Sequence, residues 1–188
     1  QGSTGTSDNE AIAILTGADW DGDHECGMEI RWLVNAITSY GFETGFTDPL
    51  TDDTLPAYND VDTPTITNGA ADVAVIALDS DQTLKTEQFI TDGSTTNMNT
   101  TATALGTREP TADNYVATRI QIATDAAAGY HFDANNALQE QAYHGAATAS
   151  QIEGGVTLTA RFIGITRSTT ARLYTIDYIA VWQNRLVQ

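Results

Sequence analysis

The chain has 188 residues and carries 25 acidic against 8 basic side chains, for a formal net charge of −17 and a pI near 4.1. Every phosphate contact needs a cation, so a chain with a single lysine, Lys85, makes a poor partner for nucleic acid or for an anionic lipid leaflet. Hydrophobic residues make up 41%, enough for one domain with its own core, and no apolar run approaches the roughly 18 residues that would insert into a membrane.

One cysteine, Cys26, excludes an internal disulfide and any multi-cysteine metal site. It heads an apolar run and reads as a small buried hydrophobe.

Taken in chain order, residues 1–10 begin Gln1-Gly2-Ser3-Thr4-Gly5 and read as a flexible N-terminal arm. Residues 11–188 read as one domain. About one residue in six is threonine, a β-branched side chain suited to strands and their solvent faces. Alternation and turn signals predict strands over 11–15, 28–34, 39–46, 71–78, 86–91, 116–122, 129–132, 156–166 and 172–182. The best helical candidate is 134–149, rich in Ala, Gln and Asn, but it lacks an apolar stripe and is interrupted by Gly145. Residues 48–69, with Pro49, Pro56 and Pro64, and residues 93–113 read as long loops, which in compact domains tend to carry function. Many short strands separated by turns predict an all-β antiparallel sandwich.

The last two strands carry the sharpest pattern. Leu158, Ala160 and Phe162 share one face, with Thr157, Thr159 and Arg161 on the other. In the final strand both faces are largely apolar, so a central position is expected. Arg167-Ser168-Thr169-Thr170 is expected to close the two into a hairpin. Asp177 stands alone in that strand and needs a partner if buried, with Arg161 or Arg172 the expected one.

Asp19-Trp20-Asp21-Gly22-Asp23-His24-Glu25 is the densest polar cluster. Asp19, Asp21 and Asp23 stand at i, i+2 and i+4, a spacing that converges on a hard cation such as calcium if the chain curls. The pattern then departs from a calcium loop, with His24 where a glycine is needed and Ile30 where the closing glutamate belongs. As extended chain, the same spacing lines up like charges. Trp20 in that segment and Tyr58 in the long loop are the aromatics expected to stack on a sugar, with core packing the alternative for Trp20. His24, His131 and His144 show no metal spacing, and no Gly-x-Ser-x-Gly elbow, phosphate loop or dinucleotide fingerprint occurs. Glu29, Glu43 and Glu87 fall on predicted strands, but no motif ties two of them into a glycosidase pair.

The segment Leu173 to Arg185, with Asp177-Tyr178-Ile179-Ala180-Val181-Trp182-Gln183-Asn184-Arg185, resembles the closing strand of concanavalin A-like (laminin G-like) jelly-roll domains. It is similar in particular to structural proteins of tailed viruses of bacteria and archaea. Glu29-Ile30-Arg31-Trp32-Leu33 resembles the first inner strand. Gly41 to Asp48 resembles the step after it, and Tyr115 to Ile122 with Gly129 to Phe132 the later hairpin. The resemblance implies a jelly-roll β-sandwich and membership of a virion, and the function expected from it is that of a non-enzymatic virion surface protein, as a head decoration, turret or fibre subunit. The partners it implies are other virion proteins at the capsid or vertex, further copies of itself as a homo-oligomer, and a host surface glycan. A carbohydrate-binding lectin-like module is the alternative, and a glycoside hydrolase of the same fold a further one. Many Asp and almost no Lys is also the surface expected of a protein working at high salt, where screening removes self-repulsion.

Overall fold

The computed structural model describes residues 2–5, 7, 10–21, 24–52, 55–58, 68, 70–81, 86–93, 101–105, 110–123, 126–145 and 156–184. Twelve strands run through them: β1 (Gly2–Ser3), β2 (Ala11–Asp21), β3 (Cys26–Val34), β4 (Tyr40–Thr47), β5 (Val73–Asp79), β6 (Gln88–Asp92), β7 (Thr101–Ala104), β8 (Val116–Ala123), β9 (Ala126–Phe132), β10 (Leu138–Gly145), β11 (Thr157–Thr166) and β12 (Leu173–Gln183). They form two six-stranded antiparallel sheets, a first in the order β1-β12-β3-β8-β9-β10 and a second in the order β2-β11-β4-β5-β6-β7.

Period-two alternation sets what lies between the sheets. Met28, Ile30, Trp32 and Val34 of β3 point inward, against Phe42 and Phe46 of β4 and Leu158, Ala160 and Phe162 of β11. Trp32 is fully buried, its ring centroid 4.5 Å from Phe42 and 5.5 Å from Phe162. The Tyr174 hydroxyl lies 2.7 Å from the Gly41 carbonyl and 2.9 Å from that of Ile165, so one proton serves two acceptors and ties the sheets together. Gly45 takes φ +144°; a Cβ there would meet the Ala74 carbonyl oxygen at 2.2 Å, so only glycine lets β4 approach β5 this closely. Buried polar groups near β6 are paired: His131 Nδ1 stands 2.8 Å from Glu87 Oε2, and His144 Nδ1 stands 2.6 Å from Thr91 Oγ1.

The second sheet is covered on its outer face as well. Ala57 and Tyr58 from the long loop pack on Val73, Val75, Ala77 and Ile90, forming a smaller second core. Beneath that loop Glu43 and Arg161 are 0% and 1% exposed, with Arg161 Nε 3.1 Å from Glu43 Oε1. Glu43 Oε2 accepts from the Ala57 N–H at 2.8 Å, and Arg161 Nη2 donates to the Leu55 carbonyl. Burial pushes the Glu43 carboxyl above the usual carboxylate range, against the opposing pull of Arg161 and the Ala57 amide.

Several expectations are corrected. The helical candidate at 134–149 is a turn followed by strand β10 (Leu138–Gly145) over its described part, and the alternate residues Ala142 and His144 of that strand are buried against the second sheet. The segment 167–170 does not close a hairpin: β11 lies in the second sheet and β12 in the first, so the chain arches across the sandwich. β12 is not central but second from the edge, and its outer face is open. Part of the 93–113 segment forms β7, and the 1–10 arm is held near its start. There Gly2 and Ser3 pair with β12, and Thr4 exchanges hydrogen bonds with the Arg172 backbone.

Candidate functional site

Asp19 and Asp21 lie on β2, whose extended backbone pairs with β11 as far as Asp21 opposite Thr157. The Asp19 side chain and Asp23 lie outside the described residues. Asp21 Oδ2 stands 3.7 Å from His24 Nδ1, and the Asp21 N–H donates to Gln183 Oε1 at 3.2 Å. Among the described residues no three His, Cys, Asp or Glu side chains stand where they could share a metal ion.

The two aromatics expected to face a sugar are used for packing. Trp20 sits half-buried at the edge of the main core, its Nε1 donating to Thr16 Oγ1 at 3.0 Å. Tyr58 is only 3% exposed and donates its hydroxyl to the Phe42 carbonyl at 3.2 Å. The long loop folds down onto the apolar outer face of β5 and takes Tyr58 with it. Asp177 is exposed and bonded to Arg31 at 2.5 Å, rather than buried against Arg161 or Arg172. Arg161 is held by Glu43, and Arg172 donates to the Thr38 carbonyl. Glu29 faces out from the first sheet and Glu43 out from the second, so they cannot flank one glycosidic bond.

What the structure does bring together lies on the outer face of the first sheet. The pairing runs Trp182 to Gly27, Gly27 to Gln121, Gln121 to Ala128, and Ala128 to Tyr143. These five residues therefore form one row across β12, β3, β8, β9 and β10. The ends are exposed aromatics, Trp182 at 36% and Tyr143 at 69%, and the middle is small or amide-bearing. A cleft of about 360 Å³ opens along this row, with Tyr130 in its wall and Glu25 and Asn184 at its rim.

Each part is fixed by its neighbours. A Cβ on Gly27 would meet Trp182 Cζ2 at 2.3 Å, so the indole lies flat over that glycine. Trp182 faces outward because a β-bulge at Asp177, between the pairs Ile176–Trp32 and Tyr178–Arg31, shifts the alternation of β12. Before it Tyr174 and Ile176 point inward; after it Ile179 and Val181 do. At the rim Asn184 Nδ2 donates to Glu25 Oε2 at 2.6 Å, and Glu25 takes the left-handed φ of 45°. Gln183 Nε2 stands 2.9 Å from His24 Nδ1, so His24, like Asp21, is tied to the end of β12. In the next row Arg119 donates to Glu29 at 2.6 Å, Tyr178 donates to the other Glu29 oxygen, and the guanidinium covers the Phe132 ring at 4.9 Å. Desolvation first, then Glu29, pushes the Tyr178 hydroxyl up to about 12. Cys26, beside the cleft, is 1% exposed, and burial pushes its thiol up to about 12, so it stays protonated and unreactive.

No protein-family model matches the chain, and no curated protein matches it in sequence. Solved structures do match. The exoplasmic/lumenal domain of VIP36, in its Ca2+/Man3GlcNAc-bound form, superposes with a TM-score of 0.63 at 7% identity, covering 98% of this chain and 78% of that one. The carbohydrate recognition domain of Emp47p gives 0.60 at 9% identity, covering 97% and 82%. A protein of unknown function from Shewanella oneidensis MR-1 gives 0.56 at 12% identity; the match covers 94% of this chain and 65% of that one. The fold is a concanavalin A-like, lectin-like sandwich. In this lectin-like sandwich the expected jelly-roll architecture stands, while among the described residues the exposed aromatics are Tyr143, Tyr178 and Trp182, with Trp20 half-buried and Tyr58 buried. Period-two counting carried straight through Asp177 puts Trp182 on the same face as Tyr174, which is the inner one, so the bulge hid it.

Proposed function

We propose that this chain is a non-enzymatic carbohydrate-binding module that takes glycan in the cleft between Trp182 and Tyr143. The observation that carries this reading is the row itself: two exposed aromatics bracket a floor of Gly27, Gln121 and Ala128. A sugar ring offers an apolar C–H face and a polar rim, and the cleft offers aromatic faces beside amides. The lectin-like fold supports the same reading, since two of its structural neighbours are a Ca2+/Man3GlcNAc-bound domain and a carbohydrate recognition domain. A glycan array probed with the whole chain is expected to show selective binding. Silence across the array would contradict the reading, and turnover of a polysaccharide lost in Glu29→Gln would contradict its non-enzymatic part.

A calcium ion at Asp19, Asp21 and Asp23 belongs to this proposal, on the connection that leads to the cleft rim at Glu25. Asp21→Ala is then expected to lower the thermal midpoint only when calcium is present. An equal loss in chelator would count against the ion. The setting we propose is a virion surface, with other virion proteins and copies of this chain as partners, and it rests on the resemblance of Leu173 to Arg185. The cleft would there serve attachment to a host glycan, with many weak sites adding up through avidity.

A further inference from the structure

Resting on the carbohydrate reading, we infer that the ligand is an uncharged, extended glycan chain lying across the strands from Trp182 to Tyr143, and that acidic glycans are turned away. The first argument is length. The backbones of the two aromatic positions stand four strand spacings apart in the register, and the indole leans one spacing inward over Gly27, so at the usual inter-strand distance the rings are about three spacings, ~14 Å, apart. One sugar ring cannot touch both. Between the indole, which covers Gly27, and Tyr143, the row offers the exposed amide of Gln121 and the single methyl of Ala128. A chain can therefore pass from one aromatic to the other without a wall in its way.

The second argument is charge. An acidic sugar needs a cation, and among the described residues the guanidinium nearest the row, Arg119, is held by Glu29 and stacked on Phe132. A second arginine of this face, Arg31, is bonded to Asp177 and stacked on Tyr115 at 4.4 Å. At the rim stands the Glu25 carboxylate, and the whole chain carries −17. A uronate or sialate entering the cleft meets the like charge of Glu25 locally, and at low ionic strength that of the whole chain as well. Among the described residues of the lining, the neutral polar groups include Asn184 at the rim, the exposed Gln121 on the floor, and the Tyr130 and Tyr143 hydroxyls, which donate and accept as neutral sugar hydroxyls require.

The test uses the whole chain and two matched series, neutral gluco- or manno-oligosaccharides and oligogalacturonates, each from the monosaccharide to about the hexasaccharide, measured by calorimetry. Neutral ligands are expected to tighten by about tenfold or more with length and then level off, which is about 1.4 kcal/mol. Tyr143→Ala, at a position 69% exposed and so not needed to carry the fold, is expected to remove that gain, so that affinity no longer rises with chain length. Trp182→Ala is expected to weaken every length. Equal affinity for all lengths, or oligogalacturonates binding as well as neutral chains, would overturn the inference while leaving a carbohydrate site in place. No binding of either series, or binding indifferent to Trp182→Ala, would instead remove the cleft as the site.

Discussion

At the scale of single residues, charge placement separates what folds the molecule from what it presents. Glu43 and Arg161 are paired out of water beneath the 48–58 loop, and each depends on the other for compensation. Removing one partner of such a pair leaves a buried charge, at a typical cost of about 3–5 kcal/mol, whereas replacing both by apolar groups is close to neutral. Arg161→Met alone is therefore expected to lose that much in urea unfolding, and the double variant Arg161→Met/Glu43→Met to regain most of it. A small loss in the single variant would show that water reaches the pair. Arg161 reads in the sequence as the polar face of an alternating strand, and that face is correct. Its burial is invisible there, because the cover comes from a loop about a hundred positions away in the chain. Tyr58, in that loop, is hidden because the loop folds it down onto Val73, Val75, Ala77 and Ile90, a tertiary contact that loop composition does not show.

At the scale of elements, most strands are legible because alternation is local. Val116 to Ala123 and Thr157 to Thr166 follow their patterns. Three things are not local. The arch after Thr166 looks like a hairpin, since a short polar link serves either connection and only sheet membership distinguishes them. β10 looks weakly helical, since its buried residues, Ala142 and His144, are not strongly apolar. The bulge at Asp177 reverses the faces of β12, and a one-residue change of phase turns every later side chain over. The candidate cleft depends on that reversal, so the sequence shows its residues and not their meeting. The pairing of Gly27 with Trp182 has its own consequence. Gly27→Ala puts a methyl group where the indole lies, and the ring must lift from the sheet. Glycan affinity in Gly27→Ala is expected to fall as far as in Trp182→Ala, with an unchanged strand signature in circular dichroism. Retained affinity would mean that the flat indole does not matter.

At the scale of the whole molecule, a charge of −17 on a small sandwich opposes its own compactness, and salt relieves that through screening. If the protein is built for concentrated salt, its thermal midpoint should climb steeply between low and molar sodium chloride. A flat response would contradict a halophilic setting while leaving the fold untouched. The same charge bears on the cleft, where it favours ligands with no charge of their own. Function and solubility then draw on one property of the surface, and both rest on a core that keeps Trp32, Phe42, Phe162 and Tyr174 in contact between the sheets.

The central claim is that Trp182, held outward by the Asp177 bulge, is where this molecule meets a sugar. The most direct check is the dissociation constant of the best array glycan for the wild-type chain and for Trp182→Ala, at a salt concentration where both show the same thermal midpoint. An aromatic contact of about 0.5–1.5 kcal/mol predicts weakening by up to about tenfold in the variant. An unchanged constant would place the sugar elsewhere on the sandwich and leave Trp182 without a role in recognition.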